Sequence, residues 1–178
     1  MTDLLKKPGV NFFLIGFMGS GKTHWGKIWA LKNQLEFLDL DHLVEEKEGK
    51  TIAEIFETSG EDHFRKIEAA ALKSCAGLQN TIIACGGGTP CFFDNMQWMN
   101  ANGTTTYIDC TPAEILQRIL PEKDQRPLLK KLNESELFSF IEKKLEERVP
   151  VYTQAKITVM SDELTENSFA GIISPIIA

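Results

Sequence analysis

Three glycines within the octapeptide Gly16-Phe17-Met18-Gly19-Ser20-Gly21-Lys22-Thr23 limit what this chain can fold into more than any other segment does. The octapeptide follows Val10–Ile15, a run apolar but for Asn11, and precedes a stretch of helical composition over 22–33. A near-continuous apolar run suits a parallel strand buried on both faces. Between such a strand and a helix, the GxxxxGK[ST] spacing builds a phosphate-binding loop. Its glycines let the backbone approach an anion without Cβ clashes, and the helix that follows presents unpaired N–H groups and the positive end of its dipole. On this reading Gly19, Ser20, Gly21, Lys22 and Thr23 hold ATP: Lys22 reaches the β- and γ-phosphates, and the Thr23 hydroxyl binds Mg²⁺.

The rest of the chain narrows the class. It carries 19 Lys and Arg against 25 Asp and Glu, a net charge of −6, so a general affinity for nucleic acid or an anionic membrane is not expected. An acidic chain that binds anions must gather its cations locally, which makes individual arginines informative. Cys75, Cys85, Cys91 and Cys110 show no CxxC spacing, and 178 residues need no disulfide framework; reduced thiols in a cytoplasmic protein are the plain reading. Lys6 and Lys7 precede an apolar run, but it passes into the glycine loop without a cleavage signal, and no segment approaches the ~20 apolar residues of a membrane span.

Short β-rich runs (10–15, 36–40, 81–85, 104–109 and 156–160) alternate with helical stretches, which predicts an α/β fold: one domain over 1–178, a three-layer α/β/α sandwich around a five-stranded parallel sheet. Helices are expected over 22–33, 41–49, from the Thr51 capping box to about Glu57, over 60–76 and 91–101, from the Thr111-Pro112 cap, from Asn133 to Arg148, and over 165–177. Residues 121–131 are polar, hold two prolines and lack periodicity, and are read as a mobile lid.

Asp39-Leu40-Asp41 ends the second strand, at the sheet edge where ligands of open α/β folds bind. Residues two apart on a strand share a face, so both carboxylates are expected to point into the site. One would order the water around Mg²⁺, and the other would take the proton of an attacking hydroxyl. Capping of the next helix is a second use for Asp41.

Together with Gly60-Glu61-Asp62-His63-Phe64-Arg65-Lys66-Ile67-Glu68, Gly86-Gly87-Gly88, Arg126-Pro127-Leu128-Leu129, and Arg148 with Tyr152, these motifs cover essentially the whole chain in an order that resembles the shikimate kinases. The resemblance implies a P-loop kinase fold that transfers the γ-phosphoryl of ATP to the 3-hydroxyl of shikimate, with Mg²⁺, in the chorismate pathway. It implies Asp41, Lys22 and Arg126 as catalytic groups, and Thr23 with Asp39, through water, at the metal. It places Arg118 and Arg126 on ATP, and Asp41, Arg65, Gly86, Gly87, Gly88 and Arg148 on shikimate. Arginine suits a substrate carboxylate because its planar fork donates two parallel hydrogen bonds. Glu68, one turn from Arg65, orients that fork or is an ordinary surface ion pair. Phe56 and Phe64 suit the core or, by resemblance, the wall of the substrate site. The family also implies a monomer acting on two small molecules. His24, His42 and His63 match none of its catalytic positions and read as surface or packing residues, and Trp25, Trp29 and Trp98 as packing residues. Two other readings stand beside this one: a kinase of the same superfamily acting on gluconate or a nucleoside monophosphate, and a non-catalytic nucleotide-binding module.

Overall fold

Alternate residues of the first strand, β1 (Asn11–Ile15), supply two different cores, and the layering of the chain follows from that. Phe12 and Leu14 point to one face of the sheet, Phe13 and Ile15 to the other, and all four are buried. A strand apolar on both sides is stable only with helices covering both. The computed structural model describes residues 10–125 and 129–177. Within them β1 pairs in parallel with β3 (Thr81–Ala84) and β4 (Gly103–Asp109), while β2 (Glu36–Asp39) and β5 (Ile157–Met160) complete the order β2-β3-β1-β4-β5. The five-stranded parallel sheet is thus as expected, and β1 at its centre delivers the glycine loop to the middle of the carboxyl edge.

On one face pack α1 (Lys22–Asn33), α5 (Pro112–Ile119), α6 (Glu134–Tyr152) and α7 (Ser168–Ile177), through Trp29, Ile115, Ile141 and Phe169. On the other lie α2 (Leu40–Glu48), α3 (Ile52–Ser74) and α4 (Asn95–Asn102), through Val44, Leu72 and Met99. Among the described residues three helices begin in full capping boxes: Thr51 with Glu54, Thr111 with Glu114, and Asn133 with Glu136. Each box satisfies two backbone N–H groups that a helix start leaves unpaired.

Several boundaries differ from the sequence reading. The helix after Thr51 runs on past Glu57 to Gly60, whose non-helical backbone (φ 79°, ψ 174°) kinks α3 and separates it from the second helical segment expected after that glycine. The helix expected over 91–101 starts only at Asn95: a 3-10 turn, Thr89–Cys91, comes first, and Phe93 has φ 53°. Pro150 does not end α6, which continues past Arg148 to Tyr152. The described parts of 121–131 include a 3-10 segment, Leu120–Gln125, and a buried Leu129. Trp29 is fully buried, Trp98 meets Phe13 edge-on at 5.9 Å, and no helix among the described residues is long and apolar enough to cross a membrane.

Gly103, where β4 starts opposite Asn11, has no room for a side chain: a Cβ there would fall on the Asn11 carbonyl oxygen and 2.8 Å from the Phe13 ring. Gly103→Ala is expected to destabilise the fold by about 1–3 kcal/mol, a loss of roughly 3–10 °C in Tm by calorimetry.

Candidate active site

The phosphate loop is shaped by positive backbone angles at Gly16 (φ 143°), Gly19 (φ 78°) and Gly21 (φ 92°). A Cβ at Gly16 would sit 2.7 Å from the Ile108 carbonyl oxygen, so the loop can pass the end of β4 only as glycine. Gly21 is the N-cap of α1 and offers no side chain to the first turn, whose N–H groups are left to face an anion. Lys22 is buried, and its Nζ donates to the carbonyls of Gly16 (2.9 Å) and Phe17 (2.7 Å) and to Ser20 Oγ (3.3 Å). Burial pulls its pKa down to about 8, against the attraction of Asp41 and other nearby groups, so it is still a cation at neutral pH. Ser20, fully buried, therefore acts on the lysine as well as on the loop.

Thr23 Oγ1 donates to Asp39 Oδ2 at 2.8 Å, which brings together the two residues expected at the metal. Asp39, not Asp41, is the cap of the next helix: its Oδ1 accepts the Asp41 N–H at 3.1 Å. The chain is already helical from Leu40, so the two-residue alternation of a strand does not relate the two carboxylates. What turns Asp41 into the site is its place in the first turn of α2, facing the glycine turn after β3; a Cβ at Gly86 would lie 2.8 Å from Asp41 Oδ1. Burial, then the negative charges of Asp39 and Glu68, push the Asp41 pKa up to about 6, with Lys22 and Arg65 opposing. A carboxylate held near 6 is a stronger base than a free one and is still ionised at neutral pH.

Gly86, Gly87 and Gly88 all lack positive φ, so their requirement is steric. Cβ atoms would meet Asp41, Glu68 and Thr89 at Gly86, the Met18 N–H region at Gly87 (3.2 Å), and the Arg65 guanidinium at Gly88 (2.6 Å). At Gly86 and Gly88 the protein's own site groups demand glycine, whatever a substrate needs, while Gly87 is only tightly packed. Behind them Arg65 is fixed on several sides. Its Nη1 donates to Glu68 Oε2 (2.9 Å), its Nε and Nη2 to Glu61 Oε1 (3.1 and 3.0 Å), and its guanidinium lies 4.3 Å from the Phe92 ring centre. Glu68 is fully buried and also accepts from Thr89 Oγ1 at 2.6 Å, so this is no surface ion pair. Arg148 lies over the Phe17 ring at 5.4 Å and within 3.5 Å of where a Gly87 Cβ would be, while Tyr152 donates to the Gly87 carbonyl. Two arginines from distant helices thus flank one glycine turn.

A cavity of about 370 Å³ opens between the phosphate loop and the glycine turn; Gly19, Lys22, Thr23, Asp39, Asp41, Gly86, Gly87 and Arg118 line it, and Arg65 and Arg148 do not. Arg118 Nη1 donates to the Gly19 carbonyl (3.2 Å), and its Nη2 to Glu114 (3.5 Å) and Ser161 (3.4 Å). Glu114, already the box residue of α5, also accepts from Ser161 Oγ at 2.6 Å, so one carboxylate ties the helix start, the end of β5 and Arg118 together. Phe64 is buried and Phe56 packs on it at 4.7 Å, both within the core of the α3 side. Arg126 lies outside the described residues. Sequence reasoning missed Thr89 and Ser161, whose spacing carries no signal, and the Glu61 contact, for which the i,i+4 spacing from Arg65 was the available clue. It also missed His24, which lines the cavity and whose place in the first helical turn after the lysine was the available clue.

Residues 18–176 match the family model for shikimate kinase. The chain belongs to the shikimate kinase family. It is 44% identical over 156 residues to a shikimate kinase of Phocaeicola vulgatus, covering 88% of this chain and 89% of that one. Among solved family members, the Bacteroides thetaiotaomicron enzyme superposes with a TM-score of 0.88 at 40% identity, over 95% of this chain and 99% of that one. The Acinetobacter baumannii shikimate kinase, solved in complex with shikimate, gives 0.81 at 32% identity, over 94% and 92%.

The raised Asp41 pKa fixes the sign of a stability effect. Its carboxyl binds a proton more readily folded than unfolded, so its ionisation erodes stability as pH climbs from about 4 to about 6. Asp41→Asn is expected to raise stability at pH 7.5 by about 1–3 kcal/mol in urea titrations, with the difference vanishing below pH 4.

Proposed function

We propose that this chain transfers the γ-phosphoryl of ATP to the 3-hydroxyl of shikimate, giving ADP and shikimate 3-phosphate. The observation that carries the reading is the placement of Asp41 across one cavity from Lys22, with the Arg65–Glu68 and Arg148 groups behind the glycine turn that forms its wall. A phosphate loop alone fits any nucleotide-binding protein. A carboxylate base and a pair of arginines on the same sheet edge call for an acceptor that carries both a hydroxyl and a carboxylate.

In this proposal ATP lies on the loop with its γ-phosphoryl toward Asp41. Lys22 exchanges its bonds to the Gly16 and Phe17 carbonyls for phosphate oxygens, which are stronger acceptors because they carry negative charge. Arg118, held by Glu114 and Ser161, steadies the nucleoside end. Arg65 and Arg148 grip the shikimate carboxylate, which orients the ring so that one hydroxyl faces Asp41. Glu68 keeps the Arg65 fork from swinging away. Asp41 then takes the hydroxyl proton as the oxygen attacks phosphorus in line.

The Thr23–Asp39 pair fits Mg²⁺. These are hard oxygen donors 2.8 Å apart, and the described residues contain no cluster of three or more ligating side chains that would hold an ion without phosphate. Mg²⁺ takes one or two protein oxygens and fills the rest of its octahedron with phosphates and water. Bound there, it would supply charge neutralisation on the transferring phosphoryl.

A coupled assay of ADP release tests the reading: shikimate should support turnover, and gluconate and nucleoside monophosphates should not. ATP binding without turnover on shikimate would overturn it. Since Asp41 must be ionised to act, kcat/KM for shikimate is expected to fall about tenfold per pH unit below about 6 and level off above. Asp41→Asn should lose at least about 100-fold in kcat while binding MgATP normally. Arg148→Lys keeps the charge and removes the fork, and should raise the shikimate KM about 10- to 100-fold with little change in the ATP KM.

A further inference from the structure

Every polar group of Thr89 is engaged, and its bonds reach three different parts of the fold. Its N–H donates to the Gly86 carbonyl at 3.1 Å, closing the glycine turn on itself. Its carbonyl accepts the side-chain N–H of Asn95, the first residue of α4, at 2.8 Å. Its hydroxyl donates to Glu68 Oε1 on α3 at 2.6 Å. Thr89, Asn95 and Glu68 are all fully buried. With the backbone held on both sides, the fold and not the solvent sets the direction of the hydroxyl.

Glu68 uses both of its oxygens: Oε2 accepts Arg65 Nη1 at 2.9 Å, and Oε1 accepts Thr89. A carboxylate taken wholly out of water is stable only when its oxygens are satisfied. The other carboxylate on Arg65, that of Glu61, has a side chain 54% exposed, and an ion pair in contact with water holds a guanidinium weakly. Buried Glu68 therefore sets where the Arg65 fork lies, and Thr89 sets where Glu68 lies. Gly86 closes the same junction, since a Cβ there would be 2.9 Å from Glu68 Oε1 and 3.0 Å from Thr89 Oγ1.

We propose that Thr89 is a positioning residue for the carboxylate of the acceptor: through Glu68, its hydroxyl fixes the Arg65 guanidinium. The inference rests on the proposed function above, in which Arg65 grips that carboxylate, and assigns a role to a side chain behind the grip. Without the hydroxyl, Glu68 Oε1 has no donor among the described residues. The carboxylate then turns or takes up a proton, and either change loosens its bond to Arg65. None of these bonds involves the phosphate loop, so nucleotide binding is spared.

Steady-state kinetics and acceptor-free crystal structures of the wild type, Thr89→Val and Thr89→Ser test this. Thr89→Val, which keeps the shape and removes the donor, is expected to raise the shikimate KM about 10-fold, with kcat and the ATP KM within about twofold of wild type. Thr89→Ser restores the hydroxyl and should bring the shikimate KM back to within about twofold. The Arg65 guanidinium should be displaced in the Thr89→Val crystal and not in the Thr89→Ser one. If Thr89→Val does not fold, Thr89→Ala takes its place with the same expectations. An unchanged shikimate KM in Thr89→Val would overturn the inference. So would an equal rise in the ATP KM, which marks general loosening, or a Thr89→Ser enzyme as impaired as Thr89→Val, which marks loss of packing. A wild type inactive on shikimate would sink the proposed reaction; the crystals then decide the positioning role, upheld by a displaced guanidinium in Thr89→Val and overturned by an unmoved one.

Discussion

Where β1 and β3 end, backbone and charged side chains approach to contact distance, and only glycine permits it. At Gly16 the obstacle is the carbonyl of Ile108 on the neighbouring strand, and at Gly86 and Gly88 it is the carboxylates of Asp41 and Glu68 and the guanidinium of Arg65. The two turns are adjacent because β1 and β3 pair directly, with Leu14 opposite Ala84. Their nearness sets the width of the cavity and hence the reach of one bound molecule toward the other. A methyl group at either turn would push the loop away from its neighbours, and the catalytic groups would lose their common reference.

Charge balance follows from this crowding. Burial, and then repulsion from Asp39 and Glu68, raises the Asp41 pKa, and Lys22 and Arg65 offset part of it. Three of these five groups are also held by neutral partners: Asp39 by Thr23 and the Asp41 N–H, Glu68 by Thr89, Lys22 by the loop carbonyls. Such preorganisation lowers the cost of reorienting dipoles during the reaction. It carries a stability cost as well, since a buried carboxylate near 6 opposes folding at neutral pH. The site is balanced so that Asp41 is ionised yet basic.

Support for the site comes from helices far apart in sequence. Arg65 sits on α3, Arg148 on α6 and Arg118 on α5, and each is held by local partners before any ligand arrives. Glu114 shows how one residue serves both levels, capping α5 through one oxygen and reaching Ser161 and Arg118 through the other. Local helix chemistry and site assembly are thus the same interaction seen at two scales.

The phosphate loop, the capping boxes at Thr51, Thr111 and Asn133, and the alternation of apolar runs with helices were legible in the sequence. Each depends on spacing along the chain and on intrinsic backbone preferences, so the α/β/α fold and the Lys22–Thr23 end of the site follow from the order of residues. Asp41 was legible as a candidate that reaches the cavity, but for the wrong geometric reason, because where β2 yields to α2 is settled by the Asp39 cap. The contacts of Thr89 and Ser161 left no trace in spacing, nor did the full burial of Glu68, since their partners lie on other elements. Sequence by itself determined which chemistry is present and at which edge of the sheet. Tertiary structure decided which side chains are buried, paired and shifted in pKa, because desolvation and through-space charge depend on neighbours that no local pattern records.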